Sequence, residues 1–349
     1  MADSIRCIKE NSMRGRLIAG FVFATSLAVA LQTQAVAQQR GQQPAGLTGK
    51  QWLESKEAQA HVAAAMAIAK PDLLQEAANL CSARGPQRPA VLRQEAGLPP
   101  VPRETLEPTR IFDNLYYIGF DTVGAWALTT SQGIIVIDSL NTPDEGEKVL
   151  IPGMQKAGLD PKQIKYVIIG HGHFDHFGGT PYLQRAYKPQ VLMSGADWDF
   201  IAASPQRNRE LPVRDVSVTD GQTLVLGDTT VTMLHTPGHT PGSIALLFPV
   251  RDRGKPYTAF MPSGGFAAPD RQSLTALERA IDLARKQKAV ALLSGHPGIY
   301  GDTLAWMETR RKNPNSPNPF IYGEERFARY LNIADECTKA RLIATEQKQ

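Results

Sequence analysis

The chain has 349 residues, of which 42% are hydrophobic and 21% are charged. This balance predicts a folded protein with a well-filled core and excludes a disordered chain. The formal net charge of +4 is too small and too dispersed to indicate a nucleic-acid partner.

The first 37 residues have the pattern of a secretory signal peptide. Arg14 and Arg16 precede an apolar run at 17–31, and the small-x-small segment 35–37 follows it. The run is too short to span a bilayer comfortably. We therefore expect cleavage near Gln38 and a periplasmic or secreted mature protein without membrane attachment.

An extension at 38–108 precedes the main domain. Residues 38–47 are rich in Gln and Gly, and residues 86–108 are rich in Pro. Between them, alanine-rich sequence predicts a helix at 52–70 and a second, shorter one at 72–80. The two Pro- and Gly-rich stretches mark this segment as an addition to the domain that follows.

Alternating and β-branched apolar runs dominate the next part of the chain. Turn residues at 131–133 and 227–228 predict β-hairpins. Two longer stretches predict helices at 272–286 and 324–346. The predicted strands lie at 115–120, 125–130, 134–138, 164–170, 190–193, 223–226, 230–234, 257–261 and 289–293.

Most of the histidines follow predicted strands. Because loops at strand ends are held by a rigid sheet, these side chains are expected to meet at one rim. Imidazole and carboxylate are common zinc ligands, and six such groups suffice for two ions. The predicted ligands are His171, His173, Asp175, His176, His239 and His296.

The remaining two histidines, His61 and His235, lie outside these motifs. A single histidine in a chain of this size is usually a surface or satisfied core residue. We expect that ordinary role for both, with His235 as a possible neighbour of the ligands.

The order of the motifs resembles the metallo-β-lactamase superfamily. The resemblance covers residues 109–345 and rests on the run His-x-His-x-Asp-His at 171–176, on Thr-Pro-Gly-His-Thr-Pro-Gly-Ser at 236–243 and on Ser-Gly-His-Pro at 294–297. It implies an α/β fold, the αββα sandwich, in which two mixed β-sheets pack face to face with helices outside. It also implies two zinc ions, the first held by His171, His173 and His239 and the second by Asp175, His176 and His296. The resemblance further implies that Asp138 orients the metal loop.

The residue after the predicted strand at 257–261 distinguishes branches of the superfamily. Many members place there a carboxylate that bridges both metals, whereas this chain has Ser263 and no acidic residue before Asp270. The absence of a hard oxygen bridge favours zinc over iron or manganese. A serine here is similar to the third subclass of metallo-β-lactamases, and it implies that Ser263 contacts the substrate carboxylate. Gly265, where that subclass usually has a second serine, and the long extension both depart from the pattern.

These observations predict an exported hydrolase of small molecules. A metal-bound hydroxide would attack an amide or ester carbonyl, with Asp175 and Ser263 contributing to catalysis. No Gly-x-Ser-x-Gly motif suggests a serine nucleophile. A β-lactamase is the leading interpretation, a lactonase or other ester hydrolase is the alternative, and a non-catalytic metal-stabilised binding protein is a third. The oligomeric state stays open.

Three further hypotheses concern positions outside the ligand set. In an oxidising compartment Cys81 and Cys337 form either a disulfide or two buried thiols, and the sequence does not decide between them. The extension near Trp52 is expected to pack over the metal rim. The substrate groove is expected to be lined by aromatics and a polar loop, namely Phe174, Phe177, Trp198 and residues 204–216.

Overall fold

Two mixed β-sheets lie at the centre of the protein, for which a computed structural model describes residues 47–203 and 209–347. In this part of the chain the first sheet has seven strands, paired in chain order. The pairs from β1 to β4 are antiparallel, and those from β4 to β7 are parallel. The strands are β1 Thr109–Phe112, β2 Leu115–Gly119, β3 Gly124–Thr130, β4 Gly133–Ile137, β5 Ile164–Ile168, β6 Gln190–Ser194 and β7 Val216–Val218.

The second sheet has five described strands in the order β12-β11-β10-β9-β8. Strands β11 and β12 are parallel, and the other pairs are antiparallel. The strands are β8 Thr223–Leu226, β9 Thr229–His235, β10 Ile244–Asp252, β11 Lys255–Pro262 and β12 Ala289–Leu292.

Helices cover the outer faces of both sheets. Short 3-10 turns at Pro71–Leu73 and Pro161–Gln163 and a π-helical turn at Gly146–Leu150 connect some of them. The α-helices are α1 Gly49–Glu54, α2 Lys56–Ala69, α3 Leu74–Leu80, α4 Pro89–Glu95, α5 Pro143–Glu145, α6 Ile151–Lys156, α7 Phe174–Phe177, α8 Thr180–Ala186, α9 Gly195–Ala203, α10 Arg271–Lys286, α11 Thr303–Lys312 and α12 Glu324–Glu346.

The alternation of side chains along β5 shows how the layers are built. Ile168 points into the core between the two sheets, where it joins Trp126 and Met261. Its neighbours Val167 and Ile169 point the other way, into the core under the helices that cover the first sheet. Because successive strand residues face opposite sides, one apolar run fills two layers. The predicted αββα sandwich is therefore confirmed.

Local turn chemistry fixes the strand register, as the sequence predicted. In the β8–β9 hairpin, Leu226 pairs with Thr229 across the two-residue turn Gly227-Asp228. Gly227 has a φ of 58°, a left-handed conformation that glycine adopts without strain. The sequence missed the short edge strands β1 and β7 and the nine-residue strand β10, and it missed the break at Ser55. That residue ends α1 and accepts a hydrogen bond from Ala58 N at the start of α2.

The extension packs on the carboxyl-terminal helix. Described residues from Leu47 onward form one compact unit, and a disulfide joins Cys81 to Cys337 of α12. Trp52 is buried against Ala340, Ile343 and other residues of α12. The hypothesis that Trp52 covers the metal rim is therefore wrong, since small side chains on α12 provide its packing partner.

The expected signal peptide lies outside the described residues. Within 47–203 and 209–347, no helix combines the length and apolar character needed to cross a bilayer.

Replacing both cysteines, as Cys81→Ala with Cys337→Ala, is expected to lower the unfolding free energy by about 2–4 kcal/mol. The reason is that the cross-link, which spans 256 residues of sequence, restricts the unfolded chain. Urea denaturation of the mature protein and the double variant measures the difference. Uptake of two equivalents of a thiol reagent by the denatured, unreduced mature protein would show that the bridge does not form.

Candidate metal centre

The six predicted ligands meet where strands of both sheets end. Strands β4 and β5 are parallel neighbours, so Asp138 and the loop that begins at Gly170 emerge at the same edge. Strands β11 and β12 are also parallel, and they lead to Ser263 and His296 at the corresponding edge of the second sheet. The Ile244 N–H donates to the Gly170 carbonyl at 3.0 Å. That hydrogen bond joins the two sheets directly beneath the site.

Two groups of three ligand atoms result. In each group one ligand atom per residue lies within 4.8 Å of the other two. The first triad is His171, His173 and His239, and the second triad is Asp175, His176 and His296. These are the two sets that the family resemblance implied as ligands of the first and the second ion.

The second triad is held by hydrogen bonds on its outer side. His176 Nδ1 lies 2.7 Å from Asp138 Oδ2, and His296 Nδ1 lies 2.8 Å from the Thr122 carbonyl oxygen. Because both oxygens are acceptors, each ring carries its proton on Nδ1. The two Nε2 atoms are then left with free lone pairs.

Those two lone pairs face each other at an Nε2–Nε2 distance of 3.1 Å. Two bare lone pairs at this separation repel, so the arrangement requires a cation or a proton between them. Nitrogens bound to one tetrahedral zinc ion lie about 3.3 Å apart, given a Zn–N distance of about 2.05 Å. The second triad therefore fits a divalent ion.

The first triad also has ring nitrogens that lack a protein partner in the described part of the chain. His171 is buried, and neither of its ring nitrogens has a hydrogen-bond partner among the described residues. A buried polar group without a partner is unfavourable, and a bound metal ion would supply one. His173 Nδ1 and His239 Nε2 lie 3.0 Å apart, with their rings perpendicular. This donor set also fits a metal ion.

Burial keeps the ligands in the protonation states that metals require. It lowers the pKa of His171 well below the usual range, and neighbouring imidazoles lower it further. Burial raises the pKa of Asp175, but the charges of His176, His296 and Arg88 outweigh burial, so the net pKa is lowered. Burial and the neighbouring histidines lower the pKa of His239 to about 3. At neutral pH the site therefore presents neutral imidazoles at His171 and His239 and an ionised carboxylate at Asp175. At His176 burial lowers the pKa, but the charges of Asp138 and Asp175 outweigh burial and raise the net pKa.

Asp138 orients the metal loop, as the resemblance implied. It is completely buried, and besides contacting His176 it accepts a hydrogen bond from Gly170 N at 2.9 Å. Its φ of 61° lies in the left-handed region, which Asp tolerates better than most residues. The strained backbone turns the carboxylate back towards the loop.

Asp197 of α9 is a structural residue of the site that the sequence analysis missed. Its carboxylate accepts hydrogen bonds from Gly172 N at 2.7 Å, from Gly242 N at 2.8 Å and from Thr240 Oγ1 at 2.7 Å. Burial raises its pKa, and these hydrogen bonds oppose the increase. Asp197 thus ties the loop of His171 and His173 to the loop of His239. An acidic residue three positions after β6 was the available signal.

Ser263 lies on the floor of the site. Gly170, the residue before His171, has no room for a side chain, because a Cβ there would come within 2.4 Å of Ser263 Cβ and Oγ. The Ser263 hydroxyl is buried and has no hydrogen-bond partner among the described residues. Asp270 lies elsewhere, since it caps α10 by accepting from Ser273 N at 2.7 Å. Asp270 therefore does not supply the carboxylate that many superfamily members have at the position of Ser263.

The expected aromatic walls are mostly core residues. Phe177 and Trp198 are buried under the first sheet, and Trp198 donates from its ring nitrogen to the Val216 carbonyl at 3.0 Å. Phe174 is half-buried and lies under the guanidinium of Arg209. The sequence missed Phe200, whose ring centroid lies 6.1 Å from that of His173. Residues 204–208 of the expected loop lie outside the described residues.

The two remaining histidines have structural roles. His61 pairs with Glu336 of α12 at 2.7 Å. His235 contacts the Val218 carbonyl at 3.1 Å. Neither belongs to the metal triads, as the sequence predicted.

Comparisons with known proteins agree with this geometry. A family model described as the metallo-beta-lactamase superfamily matches residues 118–296, which include all six candidate ligands. BJP-1, a subclass B3 metallo-beta-lactamase of Bradyrhizobium japonicum, is 25% identical with a TM-score of 0.57, and the match covers 70% of this chain and 97% of that one. FEZ-1 metallo-beta-lactamase from Legionella gormanii has the same fold, with a TM-score of 0.56 at 22% identity over 66% of this chain and 93% of that one.

Two curated relatives with similar sequences are named as hydrolases other than β-lactamases. An N-acyl homoserine lactonase of Bacillus sp is 28% identical over 155 residues, which are 41% of this chain and 60% of the relative. A hydroxyacylglutathione hydrolase of Xanthomonas axonopodis pv. citri is 32% identical over 129 residues, or 37% of this chain and 43% of the relative. The chain thus matches at most about three fifths of the length of these two relatives.

The Asp197→Asn variant is expected to lose about 1–3 kcal/mol of unfolding free energy, because the amide nitrogen cannot accept one of the buried hydrogen bonds. Zinc affinity at the first triad should fall about 10- to 100-fold, since both ligand loops lose their common anchor. Urea denaturation and chelator competition measure the two effects. The control is Asp199→Asn on the same helix, an exposed residue that pairs with Arg214. Equal behaviour of the two variants would contradict the role of Asp197.

Proposed function

Because the chain belongs to the metallo-β-lactamase superfamily, we propose that it is an exported dinuclear zinc hydrolase that opens the amide bond of β-lactams. The observation that carries the proposal is the approach of His176 Nε2 and His296 Nε2 to 3.1 Å, with the opposite nitrogen of each ring beside an oxygen acceptor. Together with the first triad, this gives two adjacent sites for divalent ions.

Two bound zinc ions supply an acidified water and a Lewis acid for a carbonyl oxygen. The chain's own residues set the conditions for that chemistry. Asp138 holds His176, and the Thr122 carbonyl holds His296, so neither ring can turn away. Asp175 stays ionised because its pKa is lowered, and its carboxylate is available to accept a hydrogen bond or a proton from the attacking water. No serine or cysteine nucleophile is required.

Ser263 supports the choice of a β-lactam. Its hydroxyl is buried at the floor of the site and has no protein partner among the described residues. A β-lactam antibiotic carries a carboxylate next to the scissile amide, and a hydroxyl donor satisfies such a group. The solved structures with this fold include subclass B3 lactamases matched over nearly their whole length.

A lactone is the second candidate substrate. The observation that favours it is the name N-acyl homoserine lactonase carried by several curated relatives. A lactone carbonyl needs the same nucleophile and the same Lewis acid, so substrate charge and shape separate the two activities. Export to the periplasm or medium, proposed from the amino-terminal sequence pattern, suits either substrate.

The mature protein is expected to bind two zinc ions, and the His296→Ala variant is expected to bind one, because its second triad loses a nitrogen ligand. Atomic emission after gel filtration at limiting free zinc measures the stoichiometry. The control is His61→Ala, since His61 pairs with Glu336 far along the chain from the ligands. Two ions in His296→Ala would disprove the assignment of the second triad.

The zinc-loaded mature protein is expected to hydrolyse at least one penicillin, cephalosporin or carbapenem faster than an N-acyl homoserine lactone. In Ser263→Ala the KM for the β-lactam should rise about tenfold with little change in kcat, because a hydrogen bond to the carboxylate is lost. Ser316→Ala, a serine after α11 that contacts Asn313, is the matched control. Turnover of the lactone alone would favour the second candidate, and no turnover would leave a binding protein.

A further inference from the structure

One cation of the extension reaches the metal site. Arg88 Nη1 lies 3.4 Å from Asp175 Oδ2, although 87 positions separate the two residues in the sequence. In the described part of the chain, no other lysine or arginine forms an ion pair with Asp175. The extension therefore reaches the rim through Arg88, and not through Trp52.

The segment that carries Arg88 is fixed on both sides. Upstream, the Cys81–Cys337 disulfide and a hydrogen bond from Arg341 to the Leu80 carbonyl attach it to α12. Downstream, Pro89 packs so closely on Gly298 that a Cβ there would lie 2.9 Å from the proline ring. Gly298 follows the candidate ligand His296 by two residues. Arg88 is thus positioned by the core and by a ligand loop together.

Most hydrogen-bond donors of the Arg88 guanidinium have no protein acceptor among the described residues. Its side chain is 48% exposed, and its contact with Asp175 is long and involves one nitrogen. Among the described residues, no other side-chain hydrogen bond of Arg88 is formed. Arginine offers five N–H donors in a planar fork that matches a carboxylate. Most of that fork is therefore free to bind a ligand.

Metal binding would free Arg88 further. The Asp175 carboxylate also faces the two histidines of the second triad: Oδ1 lies 3.8 Å from His176 Nε2, and Oδ2 lies 3.5 Å from His296 Nε2. A divalent ion held there neutralises the carboxylate charge that now attracts Arg88. An unneutralised guanidinium beside cations attracts an anion from solution.

The floor of the site offers limited anion binding of its own. Ser263 supplies one hydroxyl, and Gly265, two residues later, has no side chain and a φ of 71°. One neutral donor on the floor leaves a carboxylate with unmet acceptor capacity. The open fork of Arg88 is the charged donor at the same site.

We propose that Arg88 is a specificity-determining residue that binds the carboxylate of the substrate at the mouth of the metal site, and so selects anionic over neutral substrates. This inference rests on the proposed function of the site and names the class of substrate that the site prefers. It disfavours an uncharged lactone and favours a β-lactam with a free carboxylate.

The test compares benzylpenicillin with its methyl ester, which differ at the carboxylate. In Arg88→Gln, kcat/KM for benzylpenicillin is expected to fall about 10- to 100-fold, the effect of losing a charged hydrogen bond. Turnover of the methyl ester should change less than threefold. Arg88→Lys keeps the charge without the fork, so it should restore part of the loss. The control is Arg84→Gln, an exposed arginine of the same segment that pairs with Glu95.

Binding supplies a readout that does not depend on turnover. Calorimetry with hydrolysed benzylpenicillin on the zinc-loaded protein should show affinity about tenfold or more weaker for Arg88→Gln than for the wild type and Arg84→Gln. Equal affinity in all three proteins, or no binding by the wild type, overturns the role of Arg88. If binding depends on Arg88 but no β-lactam is hydrolysed, the β-lactamase proposal fails and the anion site stands.

Discussion

The separation of 3.1 Å between His176 Nε2 and His296 Nε2 is the constraint on which the site depends. Hydrogen bonds on the far side of each ring impose it, and the bond made by His296 connects the two sheets. His296 follows β12 of the second sheet, yet its acceptor, the Thr122 carbonyl, lies between β2 and β3 of the first. Gly295 packs so tightly on His176 and Asp138 that a Cβ there would lie within about 3 Å of both. The packing of the two sheets therefore sets the ligand geometry, and a bound divalent ion would relieve the repulsion that this packing creates.

The two triads differ in burial, so one side of the site is more accessible than the other. The second triad is enclosed, because Asp138 and His176 are both buried. The first triad is held from below by Asp197, while His239 is the most accessible of the six candidate ligands. The site is therefore most open at His239. Phe200 lies beside His173, and Arg88 lies beside Asp175. One side of the mouth is aromatic and the other is cationic, a combination that fixes the orientation of an amphipathic molecule.

Local signals predicted individual strands and the convergence of the six residues, whereas the sandwich followed from the resemblance to a known family. Apolar alternation marks strands such as β5, and a histidine after a strand must lie at a sheet edge. Asp197 and Arg88 were not predicted, because their roles depend on contacts that tertiary packing creates. A carboxylate at 197 meets two backbone amides from distant loops, and neither amide has a sequence signature. The error at Trp52 has the same origin, since an alanine-rich sequence predicts a helix but not the surface on which that helix packs.

Charge links the extension to the chemistry of the site. With two divalent ions bound, as we propose, the five imidazoles would be neutral, and the carboxylates of Asp175 and Asp138 would leave the site with a net positive charge. Burial strengthens this field, because few waters screen the ligands of the second triad. Once a metal ion neutralises Asp175, the charge of Arg88 adds to the net positive charge of the site. The packing of Pro89 on Gly298 holds the backbone of Arg88 close to the site. A carboxylate on the substrate removes that excess charge, whereas a neutral ring leaves it in place. The electrostatics of the ligands and the position of the extension therefore favour the same class of substrate.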